Sequence, residues 1–119
     1  MTNILLAEDD KATNLMVKKV LSQKKWNVIT TFNGQEAIEA LHLNDIDLII
    51  TDIMMPFVDG IELLEYTKTT LKTKHIPVIG FSAGNKEMIF ARLGDHHFDY
   101  FFEKPINLHV LAAKAEEFL

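Results

Sequence analysis

The chain has 119 residues, 48% of them hydrophobic, and at about 150 residues per domain this length predicts a single domain over 1–119. It contains no cysteine, which excludes a disulfide scaffold, a thiolate zinc site, an iron–sulfur cluster and a cysteine nucleophile. A net charge of -5 argues against a direct nucleic-acid footprint, and no apolar run nears the roughly 20 residues that would allow membrane insertion as a helix.

Met1-Thr2-Asn3 lacks the charged n-region of a signal peptide, so the expected location is cytoplasmic. Ile4-Leu5-Leu6-Ala7 reads as a buried strand, and a helix follows over about 11–24, with Ala12, Met16, Val17, Val20 and Leu21 three and four apart. Residues 26–32, rich in Val, Ile and Thr, predict a second strand. Asn33-Gly34 has the composition of a hairpin turn, but Glu36 three residues on and the helical spacing of Ala37, Ile38 and Leu41 favour a capped helix. A third strand is expected over 47–52, and Asp59-Gly60-Ile61-Glu62 opens a third helix by the same cap logic. Residues 76–82 predict the fourth strand, Asn85 caps a short fourth helix, and Tyr100-Phe101-Phe102 forms the fifth strand. Asn107 then caps a last helix whose apolar face is Leu108, Leu111, Ala112, Ala115 and Phe118.

Strand–helix units with nearly uninterrupted apolar strands describe a doubly wound α/β domain, a parallel sheet covered on both faces. In such sheets the binding crevice lies beyond the carboxyl ends of the strands. Strand one ends in Glu8-Asp9-Asp10, strand three in Asp52, strand four in Ser82, and strand five runs into Lys104-Pro105. Carboxylates crowded on that rim would repel by roughly 4 kcal/mol per pair at 4 Å and an effective dielectric near 20, so the arrangement calls for a cation. Mg²⁺ suits it, because it takes hard oxygen ligands, keeps several waters and is commonly held by one or two carboxylates plus a phosphate oxygen. No loop has the acidic spacing of a calcium-binding EF-hand.

Taken singly, each residue has a plainer reading: Glu8-Asp9-Asp10 as a solvated turn with Asp10 as helix cap, Asp52 as a strand-end carboxylate, Ser82 as a Ser/Thr turn, Lys104 as a surface lysine. Joint placement at the ends of four strands favours the functional one. The set resembles the receiver domain of two-component response regulators, and the resemblance covers the whole chain. It rests on Leu5-Leu6-Ala7-Glu8-Asp9-Asp10, on Asp52-Ile53-Met54-Met55-Pro56 followed by Asp59-Gly60, on Ser82-Ala83 and on Lys104-Pro105, in the family's order and spacing.

The resemblance implies a five-stranded flavodoxin-like parallel sheet in the order 2-1-3-4-5, with five helices. It implies that Asp52 accepts a phosphoryl group from a histidine kinase, a phosphotransfer protein or a small phosphodonor, and that the protein is a signalling switch, not a turnover enzyme. Asp9 would be a direct or near-direct Mg²⁺ ligand beside Asp52, Glu8 would act through a bound water, and the backbone carbonyl of Met54 would complete the set. Lys104 would pair with Asp52 before transfer and with a phosphoryl oxygen after it, Ser82 would hydrogen-bond another, and Lys104-Pro105 would be a cis peptide. Phosphorylation would pull Ser82 inward and let Phe101 follow, remodelling the face of helix four, strand five and helix five. That face would meet an output protein or effector domain, or a second copy in a homodimer.

Three rivals are weighed. A haloacid-dehalogenase-type phosphatase needs a second Asp two residues after the nucleophile, where Met54 stands, and a flavodoxin-like electron carrier needs a Ser/Thr-rich loop after strand one. A degenerate receiver that binds partners without phosphorylation is the alternative, against which the intact Glu8, Asp9, Asp52, Ser82 and Lys104 set speaks. Two positions depart from the family pattern. His97 replaces a usual glycine before strand five, which leaves Gly94 to end the fourth helix, and Gly80 inside strand four predicts close backbone approach or local looseness. The five histidines show no ligand spacing on a common face. Stand-alone regulator and excised receiver both remain open, and the uncapped apolar ending 115–119 leans toward excision.

Overall fold

The structure is a computed structural model that describes residues 1–119. Strands and helices alternate throughout: β1 (Asn3–Ala7), α1 (Lys11–Ser22), β2 (Asn27–Thr31), α2 (Gly34–Leu43), β3 (Leu48–Asp52), α3 (Gly60–Thr69), β4 (Val78–Ser82), α4 (Lys86–Leu93), β5 (Tyr100–Glu103) and α5 (Leu108–Glu117). The five strands form one sheet in the order β2-β1-β3-β4-β5, every pair parallel. Register places Ala7 beside Thr31 and Thr51, Asp52 beside Phe81, and Ser82 beside Glu103, so the strand ends meet along one rim.

The period of two along a strand divides the core. Leu5, Ala7, Ile49 and Val78 point to one face, where they pack with Ala37 and Leu41 of α2, Ile61 and Leu64 of α3, and Ile89 and Leu93 of α4. Ile4, Leu6, Leu48, Ile50, Ile79 and Phe81 point to the other, against Val17 and Leu21 of α1 and Leu111, Ala112 and Ala115 of α5. Being covered on both sides, β3 and β4 are buried at every position, which is why they read as apolar runs.

Side-chain caps set the helix starts. Asn33 Oδ1 accepts from Glu36 N at 2.8 Å, so this segment opens a helix and turns no hairpin. Asp59 makes a full capping box with Glu62 at the start of α3. Asn85 and Asn107 cap α4 and α5 as their positions predict. Gly94 ends α4 at φ 59, a conformation that costs a side-chain-bearing residue dearly, and His97 is not left-handed.

Several expectations need correction. Helix α1 stops at Ser22, short of 24, and the chain turns through Lys25 at φ 64. Its inward face is Asn14, Val17 and Leu21, while Ala12 and Met16 are exposed. A polar residue takes the inner position because the Asn14 amide donates to the Glu8 and Thr31 carbonyls at 3.0 Å each. Strands β2, β3 and β4 begin one or two residues later than expected, at Asn27, Leu48 and Val78. At Gly80 close approach is the answer and looseness is not: a Cβ there would stand 2.9 Å from the Phe98 ring, which fills the space.

Candidate functional site

The site is assembled from the carboxyl ends of β1, β3, β4 and β5. Glu8 directly follows β1 and is fully buried, its backbone N–H donating to Thr31 O at 3.1 Å and its carbonyl held by Asn14. Asp9 follows it at the exposed rim. Asp10 turns away to cap α1, accepting from Thr13 N at 2.9 Å and Thr13 Oγ1 at 2.6 Å. Asp52, the last residue of β3, is 5% exposed, and its Oδ1 accepts from Ile53 N at 2.7 Å. Gly60 lets α3 begin against this strand end: its N–H donates to Ile53 O at 2.8 Å, and a Cβ would collide with Asp52 O at 2.3 Å.

Carboxylate oxygens of the adjacent Glu8 and Asp9 and of the distant Asp52 lie within 4.8 Å of one another. Lys104 answers two of them, donating from Nζ to Glu8 Oε1 at 3.1 Å and to Asp52 Oδ2 at 3.2 Å. One ammonium against three carboxylates leaves the rim acidic. Burial pushes the Glu8 carboxyl up, and the hydrogen bond and charge of Asp52 push it further. The Asp10 N–H and Lys104 oppose only in part, and Glu8 ionises at about 7 against an ordinary 4.5. Burial works against the Lys104 ammonium, yet its bond to Glu8 and the charges of Asp52 and Glu8 outweigh that and hold its pKa above the usual lysine value. Hard oxygen donors with an excess of negative charge and one side open to water fit a small divalent cation, and Mg²⁺ best among the common ones.

The remaining candidates surround this core. Met54 follows Asp52 by two residues and is 64% exposed. Ser82 is buried and its Oγ accepts from Gly84 N at 2.9 Å, a Ser/Thr turn at the end of β4. Lys104-Pro105 is a cis peptide. Phe101 is half-buried on β5 opposite Gly80, edge-on to Phe90 of α4 at 5.4 Å and tilted against Phe98 at 5.7 Å. It stands on the sheet edge away from the carboxylates, beside α4. The histidines form no metal cluster, and His42 instead meets the Tyr66 hydroxyl at 2.8 Å.

Three residues of this neighbourhood escape sequence reasoning. Asn14 fixes the carbonyl of Glu8, and its only signal is a polar residue on the apolar face of α1. Arg92 of α4 pairs with Asp59 at 2.8 Å, tying α4 to the first residue of the α3 cap. Phe81 lies under the Lys104 ammonium, 5.2 Å from ring centre to Nζ. No local pattern announces the last two.

A doubly wound α/β domain with an acidic cluster and a lysine at its strand ends defines a class of domain, and comparison with known proteins narrows it. The chain belongs to the response regulator receiver domain family, whose model matches residues 4–116. It is 33% identical over 122 residues to the transcriptional regulatory protein CpxR of Escherichia coli, an alignment covering 100% of this chain and 50% of CpxR, so it spans about half that relative's length. Among solved structures it resembles the signal receiver domain of a signal transduction histidine kinase from Syntrophus aciditrophicus, with a TM-score of 0.92, 30% identity, and 100% and 90% of the two chains covered. It also resembles the response regulator TrrA of Thermotoga maritima, solved in complex with Mg²⁺-BeF, with a TM-score of 0.85, 25% identity and full coverage of both chains. It is thus a receiver of two-component signalling, and no helix of it is long and apolar enough to cross a membrane.

Proposed function

We propose that residues 1–119 make one receiver domain whose phosphoacceptor is Asp52. The observation that carries this is the bridge of Lys104 Nζ to both Glu8 and Asp52 inside a cluster of three carboxylates. An Asp52 oxygen attacks the donor phosphorus, so that the new O–P bond replaces the P–N bond of a phosphohistidine or the P–O bond of an acyl phosphate. Glu8, Asp9, Asp52 and the Met54 carbonyl would hold Mg²⁺, which when bound neutralises charge on the phosphoryl oxygens and the acceptor. Lys104 already stands at the acceptor oxygen, so its ammonium meets the incoming anion without reorganisation. The Ser82 Oγ accepts from Gly84 N in its turn, which leaves its O–H to donate to a phosphoryl oxygen.

The donor is a phosphohistidine on a histidine kinase or phosphotransfer protein, and the reaction is a switch with no turnover of a substrate. Phe101 moves inward as Ser82 is drawn to the phosphoryl group, repacking α4, β5 and α5 in a population shift between two arrangements. Exposed Met88, Phe90, Tyr100 and Val110 support that face as the one that meets an effector or a second copy of the chain. A cytoplasmic location goes with this reading. Acetyl phosphate with Mg²⁺ is expected to add one phosphoryl mass to the parent and none to Asp52→Asn, by intact-protein mass spectrometry. An unmodified parent that nonetheless binds Mg²⁺ would replace this reading with a phosphorylation-independent binding module.

A further inference from the structure

Lysine is a poor fixed electrode: its stem turns about four single bonds, and a catalytic ammonium must be held where charge will develop. In this site two contacts of Lys104 are with the carboxylates themselves, the groups that a phosphoryl group or a cation would engage. A third contact need not change. Phe81 is fully buried, and its ring centre lies 5.2 Å from Nζ, within the range in which an ammonium is attracted to the negative face of an aromatic ring.

The backbone ties that ring to both partners. Phe81 is paired with Asp52 across β3 and β4, its carbonyl accepts from Ile53 N at 3.2 Å, and the Lys104 N–H donates to the carbonyl of the next residue, Ser82, at 2.9 Å. Ring, acceptor and lysine thus ride on one hydrogen-bonded frame. Toward α1 a cleft of about 420 Å³ between Met16 and Pro105 borders both Phe81 and Lys104, so no side chain closes over the stem there. The ring is the rigid wall.

We propose that Phe81 is a positioning residue for phosphoryl transfer, its ring face holding the Lys104 ammonium at Glu8 and Asp52 by a cation–π contact. This rests on Asp52 being the acceptor, but the contact itself exists before any transfer. An apolar residue of similar bulk would fill the core and lose the attraction, whereas fluorination withdraws charge from the ring face with little change in shape.

The test uses the full chain with 4-fluoro-, 3,5-difluoro- and pentafluorophenylalanine at position 81, and Phe81→Leu beside them. With acetyl phosphate and Mg²⁺, the phosphorylation rate should fall stepwise with fluorination and by roughly two- to fivefold for Phe81→Leu. The residual rate of Lys104→Ala should not respond to the series. A flat series in the parent, or an equal decline without Lys104, overturns the proposal. A second readout needs no chemistry: the Lys104 ε-methylene protons should be shifted upfield by the ring in the unphosphorylated protein and return toward ordinary values in Phe81→Leu. A parent that shows this shift but takes no phosphoryl group sinks the acceptor reading of Asp52 and leaves the contact standing. A phosphorylated parent without the shift sinks the contact alone.

Discussion

Glu8→Gln should stabilise the protein in a way that depends on pH. Glu8 is 0% exposed and ionises at about 7 when folded, against 4.5 ordinarily, because burial and the neighbouring Asp52 disfavour its charge. Below pH 4.5 the carboxyl is protonated in both folded and unfolded chains and contributes nothing. Between 4.5 and 7 the unfolded chain releases the proton and the folded one keeps it, so stability falls as pH rises, and above 7 the loss is complete. At about 1.4 kcal/mol for each pH unit of that gap, the total is about 3 kcal/mol. The glutamine amide can still accept a hydrogen bond from Lys104 and has nothing to ionise. Urea unfolding followed by circular dichroism, with chelator present, should show the variant's advantage growing by about 3 kcal/mol from about pH 4 to about pH 8. Added Mg²⁺ should narrow the gap at the higher pH, because a ligand bound only by the folded parent stabilises it by mass action. An advantage that is the same at both pH values would refute the buried, proton-holding state of Glu8.

Lys104→Ala should retain Mg²⁺ binding by titration yet lose most of the conformational response to phosphorylation, and an unchanged set of amide shifts on phosphorylation would refute the role given to that ammonium. Asp59→Ala removes the α3 cap together with the ion pair to Arg92, and should cost about 1–2 kcal/mol in chemical denaturation, with faster amide exchange in α4. Gly80→Ala drives a methyl into the Phe98 ring and should cost about 1–3 kcal/mol, largely recovered when Phe98→Leu is added; additive costs would show that the two do not share the space.

Much of this molecule is legible along the chain because the deciding forces are local. Apolar runs name the inner strands, since a strand hidden on both faces has no position at which a polar residue is welcome. Asn33, Asp59, Asn85 and Asn107 name the helix starts, since each satisfies orphan N–H groups two or three residues away. Those two signals together place Glu8, Asp9, Asp52, Ser82 and Lys104 at strand ends, which is already a statement about where they gather.

What the chain could not decide by itself depends on neighbours distant in sequence. That Glu8 is sealed from water, its backbone held by Asn14 and Thr31, while Asp9 remains at the rim depends on residues distant in sequence, and no spacing encodes it. That Gly80 is filled and not loose follows from Phe98, and that Met16 lies outside follows from the hydrogen bonds Asn14 makes. Sequence alone determined the elements, their order and the residues of the rim, because propensity, capping and periodicity act over a few residues. Only the tertiary structure decided which carboxyl is buried and pushed up, which ring lies beneath the lysine and which helix is tied to which, because charge and packing act through space.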